Sequence, residues 1–261
     1  MKFRVLGPFE GSMQGKPSTP SATRVRWTLA LLLLRANQVV DRGCIIQELW
    51  GENPPRSAVT TTQTYIYKLR KKYQRFADRL GEGEFIETRP PGYLLRCDES
   101  EIDAFAFERL SAEGTAAFAA GDAERAASRL RQALALWRGP VLADITTGPV
   151  LTPYIRQLEE VRRRTIRTRI LADLRLGRHH ELIPELRFAA LENPFDEWLH
   201  EQLMIVLSEA GRRAEALDAY RELQRTLDQN LGIEPSHTLR QLQHDVLVGA
   251  ARLPDRAEEV A

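Results

Sequence analysis

The chain has little of what catalysis, membrane insertion or export requires. Two cysteines, Cys44 and Cys97, in 261 residues exclude a disulfide framework and a cysteine-rich zinc site, and a reducing cytoplasmic compartment suits them. The longest apolar run, Leu29–Leu34, is far short of the ~20 residues that a membrane span needs. Met1-Lys2-Phe3-Arg4-Val5 leads into no long apolar segment, so no signal peptide is expected. There is no glycine-rich phosphate loop, no HExxH and no nucleophile elbow. His179 and His180 are adjacent, and neighbours on a helix point about 100° apart, which leaves at most one metal ligand per face. No catalytic residue, cofactor or metal is expected. Lysine is scarce as well: five of the 37 basic residues are Lys and the rest are Arg.

What is present is an uneven charge. Residues 1–97 hold 16 Lys and Arg against 8 Asp and Glu, a balance of +8. Residues 98–261 hold 21 against 28, a balance of −7, so the net +1 hides a basic front and an acidic back. An anionic partner for the front half alone is implied, with nucleic acid the leading candidate.

The front half mixes strand and helix signals. Phe3–Phe9 reads as a short strand ended at Gly7-Pro8, and Gly15 and Pro17 mark a turn. A buried helix is expected over Arg24–Ala36, a second over about 42–50 capped by Asp41, and a third from Ser57 to about Phe76. After a break at Gly81 and Gly83, residues 85–88 and 93–96 flank Arg89-Pro90-Pro91-Gly92 as a β-hairpin. From Asp98 the chain reads as helix after helix. Gly121, Gly177 and Gly211 open similar units, and the last two lie 34 residues apart, the tetratricopeptide period. The longer first interval implies an insertion containing Gly139-Pro140 and Thr146–Pro153; an ordinary helical bundle is the alternative. The expected fold class is α+β: a winged helix-turn-helix with an N-terminal sheet over 1–97, then an all-α tetratricopeptide-like domain over 98–252, then a disordered tail over 253–261.

The third helix separates two faces. Thr62, Ile66, Leu69 and Tyr73 fall at i, i+4, i+7 and i+11 and form a core stripe, widened by Val59 and Tyr65. The opposite face carries Thr60, Thr61, Thr64, Tyr67, Lys68, Lys71 and Lys72. Small hydroxyl side chains at one end and cations at the other suit a helix entering the major groove. Arg89, before the stiff Pro90-Pro91, is placed for the minor groove or its phosphates, with pairing to Glu87 as the alternative. Arg24 and Arg26, at the start of the first helix, are weaker candidates for the DNA backbone, and Arg70 is a further phosphate candidate.

These strings resemble a known family, the Streptomyces antibiotic regulatory proteins (SARP), almost end to end. The front resembles an OmpR-type winged helix in Phe3–Pro8, Leu31–Val40, Leu49-Trp50-Gly51, Tyr65–Arg70 and Pro90–Leu95. The back resembles the bacterial transcriptional activator domain in Ala133–Pro140, Arg156–Glu160, Glu215–Tyr220 and Leu231–Ser236. Thr62 and Trp27 depart from the family's usual residues. The resemblance implies an activator of secondary-metabolite gene clusters that binds direct repeats of double-stranded promoter DNA near the −35 element. Copies would associate side by side on DNA and recruit RNA polymerase holoenzyme through the sigma factor, the β flap and the α C-terminal domain. It also implies that Thr60, Thr61, Thr64 and Lys68 face bases, that Arg70 meets the DNA backbone, and that the loop of Gly51, Glu52, Asn53 and Arg56 faces polymerase. A tetratricopeptide-type scaffold, or a repressor built from the same parts, is the alternative. The expected location is the cytoplasm, with no membrane partner.

Overall fold

The computed structural model describes residues 1–80 and 84–249; Gly81, Gly83 and the tail over 253–261 lie outside the described residues. An antiparallel sheet opens the chain, with β1 (Lys2–Arg4), β2 (Glu10–Met13) and β3 (Lys16–Pro17) in sequence order. Three helices come next, α1 (Thr23–Leu34), α2 (Arg42–Trp50) and α3 (Ala58–Leu80). A second sheet holds β4 (Val39–Asp41), β5 (Ile86–Arg89) and β6 (Gly92–Leu95) in the order β4-β6-β5, and β5 and β6 form the wing hairpin. Asp41 caps α2 as its spacing predicts, accepting from Gly43 N at 2.5 Å. Beyond a 3-10 turn at Glu99–Glu101 the chain is helical: α4 (Asp103–Ala119), α5 (Ala123–Leu134), α6 (Leu151–Arg175), α7 (His179–Glu192), α8 (Glu197–Glu209), α9 (Arg213–Leu231) and α10 (His237–Val248). Gly121, Gly177 and Gly211 each turn the chain between successive helices at positive φ, which is why that residue marks the repeat. This is the α+β class expected, a winged helix succeeded by an all-helical segment.

The chain divides into two compact units, residues 1–168 and 169–261, so the boundary expected at 97/98 falls inside the first unit. The winged helix and the segment after it share one core. Ile102, Phe107, Leu142, Ile145, Leu151 and Leu158 are buried with Phe3, Leu6, Leu33 and Ile45. Hydrogen bonds join the same parts: Val5 N and Leu6 N donate to the Asp103 carboxylate at 2.7 and 3.2 Å, and Leu142 N donates to Val5 O at 3.0 Å. The insertion is the non-helical connection over 135–150; Leu151–Pro153, expected within it, already belong to α6.

A single carboxylate organises this junction. Glu48, on α2 and 1% exposed, accepts from Trp27 Nε1 (2.7 Å), Gly148 N (2.6 Å), Val150 N (2.8 Å) and Leu151 N (2.9 Å). It both satisfies Trp27, which departs from the family pattern, and caps the start of α6. Residues 169 onward form their own unit, in which α8 packs on α7 and on α9. Arg169 and Asp173 are buried there and pair at 3.0 Å. Among the described residues no helix is long and apolar enough to cross a membrane, and no group of three or more His, Cys, Asp and Glu could hold a metal.

Candidate nucleic-acid interface

The two faces of α3 separate as the periodicity dictates. Thr62, Ile66, Leu69 and Tyr73 are buried, and the Tyr73 hydroxyl donates to Ser18 O at 2.7 Å. Thr62 fits this apolar face because its hydroxyl donates to Ala58 O at 2.8 Å, inside the helix. Thr60, Thr64, Tyr67, Lys68, Lys71 and Lys72 are exposed, Tyr67 at 63%, while Thr61 is half-buried. Val59, expected on the core stripe, is 41% exposed and belongs to the open face. Gln63 is exposed beside it, a position that reading only hydroxyls and cations overlooked; its place four residues from both Val59 and Tyr67 marks it. The Thr60 and Thr64 hydroxyls donate to Ser57 O (3.0 Å) and Thr60 O (2.9 Å), so their lone pairs remain as acceptors.

Arg70 lies elsewhere than on this open face. Its Nε donates to Ile86 O and its Nη2 to Thr88 Oγ1, both at 2.8 Å, with Glu84 at 3.5 Å. It is a strut that fixes the wing against α3. On the wing, Arg89 pairs with Glu87 at 2.8 Å and Arg96 pairs with the same carboxylate at 2.9 Å, yet Arg89 stays 57% exposed. The two guanidiniums, Arg96 first, hold the Glu87 carboxyl below the usual carboxylate range.

Arg24 and Arg26 have intramolecular partners. Arg24 stacks over Trp27 and Trp50, 5.1 and 5.6 Å from their ring centres, and Trp50 in turn stacks on Tyr65 at 6.5 Å. Arg26 pairs with Asp144 at 3.0 Å. The Arg24–Trp50–Tyr65 stack joins the start of α1, the end of α2 and the recognition face's own helix. Between α2 and α3, Glu52, Asn53, Pro54, Pro55 and Arg56 are exposed, and Gly51 closes α2 at φ +58° with its N–H on Gln47 O. Among the described residues, the side chains of Glu52, Asn53 and Arg56 make no hydrogen bond or ion pair.

Residues 20–95 match the transcriptional regulatory protein C-terminal family, and residues 102–247 match the bacterial transcriptional activator domain. The regulatory protein DnrI of Streptomyces peucetius is 40% identical over 250 residues, covering 95% of this chain and 92% of that protein. The regulatory protein AfsR of Streptomyces griseus is 34% identical over all of this chain, which spans 26% of that longer protein. The solved structure of Mycobacterium tuberculosis EmbR, in complex with a low-affinity phosphopeptide, is similar with a TM-score of 0.85 at 32% identity, covering 95% of this chain and 65% of that one. Similarity this close over nearly the whole length carries the family with it, and the family's work is regulatory rather than enzymatic. The chain therefore belongs to the SARP family, DNA-binding transcriptional regulators that join an OmpR-type winged helix to a bacterial transcriptional activator domain.

Proposed function

We propose that the protein activates a secondary-metabolite gene cluster by binding direct repeats next to the −35 element and recruiting RNA polymerase holoenzyme. The observation that carries this reading is the open face of α3, where Thr60, Gln63 and Thr64 precede Tyr67, Lys68, Lys71 and Lys72 beside an Arg-bearing wing. Thr60, Gln63, Thr64 and Lys68 read base edges, with Thr61 at their margin; Gln63 matches the paired groups of adenine, and Val59 and the Thr methyls match thymine. Lys71, Lys72 and Tyr67 meet phosphates, and Arg89 meets the backbone or the minor groove. Arg24, Arg26 and Arg70 serve by holding this surface in shape. The exposed Glu52, Asn53 and Arg56 lie beside the DNA-reading helix, where a polymerase on the adjacent promoter element reaches them.

Footprinting on intergenic DNA, with and without polymerase, tests the reading. Two protected repeats in the same orientation, spaced about one helical turn, are expected. Inserting half a turn abolishes cooperative binding. Palindromic protection, or binding indifferent to the insertion, rejects the side-by-side arrangement. The double change Glu52→Ala with Asn53→Ala leaves DNA affinity intact and lowers transcription in a reconstituted system. Normal transcription from that variant removes the loop from the mechanism.

A further inference from the structure

The two compact units carry opposite charge. Residues 1–168 hold 26 Lys and Arg against 19 Asp and Glu, a balance of +7, and residues 169–261 hold 11 against 17, a balance of −6. Part of the positive side is the α3 and wing surface. A second concentration lies on α6, where Arg156, Arg163, Arg164 and Arg167 are all exposed. Arg156, Glu160, Arg163 and Arg167 run at i, i+4, i+7 and i+11 along one side of α6, while Ile155, Leu158 and Val161 turn into the core. Glu160 pairs with Arg163 and Arg164, which leaves the row net positive.

The counterpart is on α7. Glu181, Glu185, Phe188 and Glu192 have the same spacing on an exposed face. Phe188 is 66% exposed and Leu191 beside it 70%, the two most exposed large aliphatic or phenyl side chains among the described residues, and Phe195 at 48% extends the patch. An apolar centre flanked by three carboxylates, its one neighbouring cation Arg187 already paired with Glu215, is the makeup of an interface for a partner of positive charge. Because the spacings are equal, the two rows laid antiparallel set Arg156, Arg163 and Arg167 opposite Glu192, Glu185 and Glu181. Glu185 already pairs with Arg169 of its own chain, so Glu181 and Glu192 carry most of the acidic side. Arginine stems then cover the Phe188 ring, and their guanidiniums meet its face.

We propose that the α7 row of one copy docks on the α6 row of the next copy when both occupy adjacent repeats. The contact joins two different surfaces, so it repeats in one direction along DNA rather than closing a two-fold pair, as a direct repeat demands. The inference rests on the direct-repeat reading above and names the surface that would carry its cooperativity.

The test compares three full-length variants with the wild type: Arg156→Glu with Arg167→Glu, Glu181→Arg with Glu192→Arg, and all four together. None of these residues belongs to α3 or the wing. The probes are duplexes with one or two copies of a sequence selected by the protein from a random pool. Each double variant should bind the single-copy duplex like the wild type and lose roughly tenfold in cooperativity on two copies. The fourfold variant, with the charges exchanged, should recover it. Unchanged cooperativity in both double variants, or no recovery in the fourfold one, overturns the contact. Failure of the wild type to bind the single-copy duplex overturns the DNA-reading proposal instead. The contact is then still decided by sedimentation velocity at low salt without DNA, where the wild type should self-associate and each double variant should not.

Discussion

Lys68 and Lys71 are one turn apart on the same exposed face, yet they should behave differently on DNA. Lys68→Ala, Thr64→Ala and Gln63→Ala remove groups aimed at base edges and should each cost about 1–3 kcal/mol on the selected site while relaxing its sequence. Lys71→Ala should weaken all DNA about equally and lower the salt slope by about one. Competition binding with random duplex separates the two outcomes. The wing carries a sharper test. Glu87 holds Arg89 and Arg96 at 2.8 and 2.9 Å, and Glu87→Gln removes one negative charge and loosens both cations. DNA affinity should rise and its salt dependence steepen. Acid should act in the same direction. The Glu87 carboxyl is held below its ordinary range, so its contribution to wing order is present above the unfolded-state value and is lost as pH falls through the folded one. A wild-type titration that tracks Glu87→Gln at low pH checks this; identical affinities of the two proteins at neutral pH would reject the tether.

The element most exposed to a single change is the start of α6. Glu48 takes four donors on its two oxygens, three of them backbone N–H groups of Gly148, Val150 and Leu151. In Glu48→Gln an amide N–H₂ faces groups that are themselves donors, inside the core. The expected loss is about 3 kcal/mol by chemical denaturation. Gly148→Ala attacks the same contact from the other side, since a Cβ there would stand 2.2 Å from the Glu48 carbonyl oxygen. Because α2 leads directly into the exposed loop and stacks Trp50 on Tyr65 of α3, either change should also blur the recognition surface. Loss of DNA specificity in step with stability is the expected signature. A fully stable Glu48→Gln variant would contradict the role given to this carboxylate.

At the scale of the molecule, the DNA-reading part has no core separate from that of α4, the 135–150 connection and α6. Cutting at residue 97 would uncover the surfaces on which Ile102, Phe107, Leu142, Ile145, Leu151 and Leu158 pack. At roughly 1.5–3 kcal/mol for each large apolar side chain, that loss matches or exceeds the whole stability of an ordinary domain, about 5–15 kcal/mol. It would also leave Glu48 without three of its partners. The charge of residues 1–97 alone suggests that this fragment binds DNA independently; its packing leads to the opposite expectation. A fragment ending at Arg175, which keeps α6 whole, should melt cooperatively and bind DNA, and the 1–97 fragment should do neither. Circular dichroism melts of both decide the point.

Much of this was written locally in the chain. The stripe of Thr62, Ile66, Leu69 and Tyr73, the Asp41 cap, the Pro90-Pro91 hairpin and the glycine turns spaced by 34 residues all depend on neighbours a few positions away, so periodicity and turn chemistry disclosed them. Val59 and Gln63 lay within reach of the same helical wheel, but residue type hid them: an apolar residue reads as core, and an amide stands out less than a cation. What only the tertiary structure decided is which arginines are committed and which remain open. In sequence Arg26, Arg70 and Lys68 are alike, cations on helices. In the folded chain Asp144 claims Arg26 across 118 residues, the wing claims Arg70, and Lys68 faces solvent. The same holds for Glu48, whose three backbone partners lie about a hundred residues ahead. Such pairings depend on where distant segments meet, and a local pattern of hydrophobic and polar residues carries no record of that.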